Sequence, residues 1–304
     1  MRHAMVDDST LDDHVAHTFA DAGCAGWVHA RTLNESGVEY GYRPDAPVVL
    51  ASVYKLPLMI SLCRMADRND IDLAERVTVT PHDVAEGATG LSVLHDPVTM
   101  SWRDLCVSMM TVSDNAAADV VLGRVGLHQL AADLADLSLS HTRIVSGMRE
   151  VHARLRAETG TSTVAEAFEA LANPDVEAEV SAYDAAYASA GTPRECTTLL
   201  DAVWRDVAAS PDSCDFIRRT MRKQVFTTRI ASGLAVPHAT VAGKTGTIGS
   251  IRNEIAVVEF PGESSVAIAI FTKSARAAAS LPTVDRAIGE VARAVVMALR
   301  RPLV

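Results

Sequence analysis

The chain has 304 residues, of which 48% are hydrophobic and 22% charged, the make-up of a globular protein with enough apolar residues for a sizeable core. A formal net charge of −10 excludes nucleic acid as the partner, because phosphate binding rests on clustered Lys and Arg, and the pairs Arg218-Arg219 and Arg300-Arg301 are too short to offset the acidity. No uncharged apolar run reaches the roughly 18 to 20 residues that span a bilayer; the nearest approach, Val48 to Cys63, is broken by Lys55 and Pro57.

The opening Met1-Arg2-His3-Ala4-Met5-Val6-Asp7-Asp8 turns acidic at once and lacks the apolar stretch of an export signal, so the sequence predicts a soluble cytoplasmic protein. Residues Thr10 to Ala22 follow, with Leu11, Val15, Ala16 and Phe19 at helical spacing behind Ser9 or Thr10 as cap. Two β-like runs, Gly26 to Leu33 and Glu39 to Tyr42, flank the turn-forming Asn34-Glu35-Ser36-Gly37 and predict a hairpin. From Ser52 the chain is mostly helical until three β-rich stretches, Ala239 to Lys244, Ile255 to Phe260 and Ser265 to Thr272. Val284 to Leu299 closes it as an amphipathic helix with Ile288, Val291, Val295 and Leu299 on one stripe.

Strands from both ends around a helical middle predict an α/β fold of the α+β type: an antiparallel sheet built by the N- and C-terminal segments, with an all-helical lobe between its halves. The expected division is 1–50 with 200–304 for the sheet lobe and 51–199 for the helical lobe. A site is then expected at the seam, where lobes meet.

Three short motifs fall at those junctions in the order Ser52-Val53-Tyr54-Lys55, Ser113-Asp114-Asn115 and Lys244-Thr245-Gly246. Singly, each has an ordinary structural use: a helix N-cap, a turn, a strand end at a bend. A lone Ser-x-x-Lys arises about once in a chain of this length, whereas all three in order arise by chance in roughly one chain in several hundred. Together they resemble the Ser-x-x-Lys, Ser-Asp-Asn and Lys-Thr-Gly set of class A β-lactamases and penicillin-binding proteins. The flanks extend the resemblance: Leu56-Pro57 after the first motif, Thr99 to Val112 before the second, and Thr247 with Arg252-Asn253-Glu254 after the third.

The chemistry explains why these residue types converge. A serine hydroxyl attacks a carbonyl only when a neighbouring base takes its proton, and Lys55 lies one helical turn beyond Ser52, on the same side. A buried lysine near another cation, here Lys244, loses its proton more easily than a free one. The resemblance implies the remaining roles. Ser113 relays a proton to the leaving nitrogen, Asn115 bonds the substrate's amide side chain, Lys244 and Thr245 hold a substrate carboxylate, and Gly246 and Arg252 complete the binding site. The backbone N–H groups of Ser52 and Thr247 form an oxyanion hole. It also implies a β-lactamase/transpeptidase-like fold, a small-molecule substrate, and no cofactor.

Class A β-lactamases carry a Glu-x-x-Leu-Asn loop whose glutamate activates the deacylating water, and no such signature stands between the second and third motifs. After Thr142-Arg143-Ile144-Val145 the chain runs Ser146-Gly147-Met148-Arg149-Glu150-Val151, with neither leucine nor asparagine at the required offsets from Glu150. Ser162-Thr163-Val164-Ala165-Glu166 then opens a further helix with a capping box, ended at Asn173-Pro174. The expectation is a helical insert in place of the loop, slow deacylation, and Glu150 as the first candidate for a displaced base. Three substrate readings stay open: a β-lactam, a D-alanyl-D-alanine peptide as in the penicillin-binding enzymes, and a small-molecule ester or amide of natural-product metabolism.

Five cysteines, Cys24, Cys63, Cys106, Cys196 and Cys214, are odd in number and show no C-x-x-C pair, so free thiols are expected. Cys106 falls where many members of the resembled family carry half a disulfide, but the partner position holds Met59, with Cys63 one turn beyond; the expectation is two buried thiols. His82, His95, His141, His152 and His238 have no mutual ligand spacing, so no metal is expected and they read as surface or loop residues.

Overall fold

The structure, a computed structural model, describes residues 9–34, 37–81, 85–173, 180–236 and 238–300. Helix α1 (Ser9–Asp21) buries the predicted stripe Leu11, Val15 and Phe19. Strands β1 (Cys24–Thr32) and β2 (Glu39–Tyr42) form the expected hairpin, with Val28 opposite Tyr42 and Arg31 opposite Glu39. The two-residue strand β3 (Val48–Val49) leads into a 3-10 turn, Ala51–Tyr54, continuous with α2 (Lys55–Asp67). In α2 every residue from Lys55 to Cys63 is buried, so this helix is the axis of the helical lobe. Pro57 sits in its first turn, where a missing N–H breaks no helical bond.

A small antiparallel pair, β4 (Arg76–Val79) and β5 (Val98–Ser101), precedes α3 (Trp102–Thr111), which Ser101 caps by accepting the Asp104 N–H at 3.1 Å. Helices α4 (Asn115–Val125), α5 (Leu127–Asp136), α6 (Met148–Thr159) and α7 (Val164–Ala172) complete the lobe. The capping box at Thr163 and Glu166 is formed as predicted, while Pro174 of the expected stop lies outside the described residues. Strand β6 (Ala190–Gly191) pairs with β3. Helices α8 (Pro193–Trp204), α9 (Pro211–Met221) and the short α10 (Ile230–Gly233) lead to β7 (Thr240–Ile248), β8 (Ile251–Glu259), β9 (Val266–Ser274) and α11 (Pro282–Leu299).

The main sheet has the order β2-β1-β9-β8-β7 and is antiparallel throughout, so the N-terminal hairpin is completed by the C-terminal strands. Alternation along each strand divides its two faces. Ile255 and Val257 of β8, with Ala267, Ala269 and Phe271 of β9, join the core built on α2 and α3; Ala256, Val258, Val266, Ile268 and Ile270 pack with α1 and α11. The expected boundary between positions 199 and 200 falls inside α8, which packs against β1 and β9, so that helix joins the lobes rather than separating them. Among the described residues no helix is long and apolar enough to cross a membrane.

Candidate active site

Ser52 stands in the 3-10 turn ahead of α2 and is 8% exposed. The preceding Ala51 has φ 46°, a left-handed conformation that costs a non-glycine residue about 1–3 kcal/mol and persists only where its surroundings hold it. They do so here. Asn253 Nδ2 donates to Val49 O at 2.8 Å and to Leu50 O at 3.4 Å, tying the turn to β8. Gly246 presses on it from β7, where a Cβ would lie 2.6 Å from Leu50 O and 3.1 Å from Val53 Cγ2. The strand expected to end at Lys244 runs on to Ile248 because this glycine serves close packing rather than a bend.

Lys55 is fully buried and its ammonium donates to Ser113 O at 2.7 Å, Asn115 Oδ1 at 2.8 Å and Ser113 Oγ at 3.3 Å. Lys244, also fully buried, donates to Ser113 Oγ at 3.0 Å and Thr245 O at 2.8 Å. The Ser113 hydroxyl is thus held between two lysines. Burial pushes Lys55 down to about 7, and burial with the charges of Lys55 and Arg229 pushes Lys244 well below its ordinary value. Ser113 adopts φ 57°, and Asp114 fixes that turn: its carboxylate accepts Ala117 N at 3.1 Å, Leu91 N at 2.8 Å and Ser108 Oγ at 2.7 Å. The Asn115 amide, expected to face substrate, bonds Lys55 and, through Nδ2, Glu86 O at 3.2 Å.

Two side chains of this site, Arg229 and Gln224, went unread in the sequence, and a third, Glu254, was read only as a flank of the third motif. Arg229, 6% exposed, donates through Nη1 to Gly246 O at 3.0 Å and Asn253 O at 2.7 Å, and through Nη2 to Thr247 Oγ1 at 2.7 Å. Gln224 Oε1 accepts Thr245 N at 2.6 Å and Thr245 Oγ1 at 3.1 Å, and its Nε2 donates to Glu254 Oε1 at 3.0 Å. Burial raises the Glu254 carboxyl to about 7. No motif marks these residues, since they are brought together by the β7–β8 pairing and the segment before α10. Arg252, by contrast, was expected to face substrate, yet it is 2% exposed and spends its guanidinium on Gly249 O, Ile251 O, Ala278 O and Ala279 O. It clamps the hairpin to the segment before α11.

Ser52 and Thr247 share a cleft of about 530 Å3, its open mouth included, with walls that include Val49, Met148, Val151 and Tyr187. No carboxylate lines it among the described residues. The insert explains this. Asp119 of α4 accepts the N–H of Met148 at 2.7 Å and of Arg149 at 2.9 Å, pinning the start of α6 so that Met148 faces inward. Glu150, in the first turn of α6, is exposed and is not among the residues that line the cleft, although its charge acts on the buried Tyr54 and on Asp119. The position expected to supply a displaced base therefore stands near the site but outside the cleft wall.

His152, read as a surface residue, is 6% exposed, and its Nδ1 has no hydrogen-bond partner among the described residues. Cys63 and Cys106 are buried free thiols, and burial pushes both up, Cys106 to about 12. No cluster of metal-ligating side chains occurs among the described residues, and His82 lies outside them.

Comparison with known proteins matches residues 10–299 to the family described as the beta-lactamase enzyme family. The β-lactamase regulatory protein BlaB of Streptomyces cacaoi is 27% identical over 95% of this chain and 97% of its own. Among solved structures, a β-lactamase from Sphaerobacter thermophilus superposes with TM-score 0.77 at 22% identity, covering 97% of this chain and 98% of that one. PBP-A does so with TM-score 0.78 at 20% identity, covering 98% of each chain. These likenesses establish the β-lactamase/transpeptidase-like fold.

Proposed function

Because this chain belongs to the β-lactamase enzyme family, we propose that it is a serine hydrolase that forms an ester at Ser52 Oγ with a β-lactam or related amide or ester, and releases it slowly. The observation that carries this reading is the Ser113 hydroxyl held between Lys55 and Lys244, one helical turn from Ser52. In the neutral form favoured by burial, Lys55 takes the Ser52 proton as Oγ attacks the acyl carbon. The C–O bond forms, the C–N or C–O bond to the leaving group breaks, and Ser113 passes the proton from Lys55 to the departing atom. Backbone N–H groups of Ser52 and Thr247 serve the oxyanion. Lys244, with Arg229 and Thr247 beside it, offers charge-assisted bonds to a substrate carboxylate.

Release is slow in this reading because an apolar side chain, Met148, stands in the cleft where a water would need a base. A second reading draws on the same feature: a long-lived acyl-enzyme suits a receptor that reports a β-lactam, and the relative from Streptomyces cacaoi is named as regulatory. Intact-mass measurement after exposure to penicillins, cephalosporins and simple esters tests both. The expected result is a stoichiometric mass gain on wild type and none on Ser52→Ala; a gain that survives the substitution, or none with any donor, defeats the proposal.

A further inference from the structure

Arg154 lines the same cleft as Ser52. It belongs to α6, part of the insert that replaces the expected loop, and stands three residues after Val151 and six after Met148. Residues three apart stack along one helix face, so these side chains follow one another down the cleft wall. At 1.5 Å rise per residue, Arg154 is set back from Met148 by about 9 Å along the helix.

Its guanidinium is half-buried and makes one hydrogen bond among the described residues, from Nη2 to Ser146 Oγ at 2.7 Å. No carboxylate pairs with it among the described residues, in contrast to Arg64, Arg194, Arg222, Arg229 and Arg300, each of which has an acidic partner. A guanidinium carries five donors in a planar fork that fits a carboxylate two bonds at a time. One donor is used here, and the residue lines a cleft whose remaining walls are mostly apolar, among them Val49, Ala182 and Ile248.

We infer that this cleft selects acyl donors whose acyl side consists of an apolar spacer ending in a carboxylate, with Arg154 reading that carboxylate. The inference rests on the acyl-enzyme reading above and names the substrate class for it. A carboxylate suits the site better than a phosphate, because one cation on an apolar wall balances a single negative charge. Lys244 does not line this cleft, so the anion it would hold is a second group of the substrate, separate from the one read by Arg154.

Two matched donor series test this: aryl esters of straight-chain alkanoic acids, and the corresponding esters that end in a free carboxylate, each with spacers of increasing length. Acylation is followed by release of the phenol from wild type, Arg154→Ala and Arg154→Lys. At the best spacer length, wild type should favour the carboxylate-ended ester on the order of 10- to 100-fold, the effect of a hydrogen bond to a charged group. That ratio should collapse towards one in Arg154→Ala and return in part in Arg154→Lys. A wild-type ratio near one at every length, or a preference that survives Arg154→Ala, overturns the inference while leaving acylation of Ser52 intact. If neither series acylates Ser52, the acyl-enzyme reading has failed, and calorimetry with the matching unreactive amides decides the pocket. Carboxylate-ended amides that bind more tightly to wild type than to Arg154→Ala uphold it; equal or absent binding overturns it.

Discussion

Lys244 donates to the hydroxyl of Ser113 at 3.0 Å and Lys55 to the same hydroxyl at 3.3 Å, so two fully buried ammonium groups converge on one oxygen. Loss of hydration disfavours protonation of both lysines, and the charge of Lys55 adds to it for Lys244. Lys55 is pushed down to about 7 and Lys244 well below its ordinary value, even with Asp114 and Asp119 acting on Lys55 and Glu254 on Lys244 in the other direction.

The first prediction concerns pH. If neutral Lys55 is the base, acylation should be slow below pH 7, rise as the pH passes through about 7, and level off above it. Lys55→Ala should slow acylation by about 10²–10⁴, the range for loss of a general base. Stopped-flow acylation between pH 5.5 and 9 reads both; a wild-type profile already flat at pH 6 would assign the base elsewhere.

Lys244→Ala removes a cation from the carboxylate end, and should weaken carboxylate-bearing donors more than neutral esters, by roughly 10- to 100-fold for a charge-assisted bond. Arg229→Ala would break the ion pair with Asp285 and the bonds to Gly246 O and Asn253 O, so it should lower the melting temperature as well. Arg252→Ala removes bonds to four backbone carbonyls instead. Leaving buried acceptors unpaired costs about 1–3 kcal/mol, a melting-temperature loss of roughly 2–10 °C. Arg252→Ala should therefore lower the melting temperature without changing the ratio between the two donor types. A changed ratio with unchanged melting would return Arg252 to the binding site.

A glycine gives the third prediction. In Gly246→Ala the new methyl would meet Leu50 O at 2.6 Å, a backbone atom with little freedom to yield, so the serine turn must shift. A displacement of about 1 Å at a reacting group costs on the order of 10² in rate. The expected outcome is a folded protein that acylates about a hundredfold more slowly, seen by circular dichroism and by mass gain over time. Full-speed acylation would show that β7 does not set the position of Ser52.

These cases show what was legible in the sequence. The strands were readable because β8 and β9, buried on both faces, read as short runs rich in β-branched residues beside turn-forming ones, and the end helix because Ile288, Val291 and Val295 repeat every three or four residues. Ser52, Lys55, Ser113 and Lys244 were readable because each sits in a short run whose spacing carries chemistry. Arg229 and Gln224 were not: each lies in an unmarked stretch, and what makes them part of the site is contact with β7, a relationship across 17 to 21 residues of chain. Arg252 misled for the converse reason. A short flank placed it beside the third motif, but its side chain is consumed by carbonyls that only the folded hairpin presents. Glu150 was nearest in sequence to the missing base, yet the rotation of α6 that brings Met148 into the cleft leaves Glu150 exposed and outside its lining.

The fourth prediction follows from that rotation. Met148 is held inward by the bond from its N–H to Asp119, a contact of the backbone that survives any change of side chain at this position. Met148→Glu would therefore bring a carboxylate into the cleft beside Ser52, where burial would raise its pKa and suit it to activate water near neutral pH. Hydrolysis of the acyl-enzyme should accelerate by up to about 10²–10⁴, the worth of a general base. Glu150→Gln alters an exposed side chain outside the cleft lining and should leave the acyl-enzyme lifetime within a factor of about two, since surface changes away from such features are usually worth within about 0.5 kcal/mol. The lifetime is read as decay of the acylated mass after excess penicillin is removed. A short lifetime in wild type that lengthens strongly in Glu150→Gln would make Glu150 the working base after all, with α6 moving to deliver it; a Met148→Glu acyl-enzyme as persistent as the wild type would show that water does not reach the ester from this side.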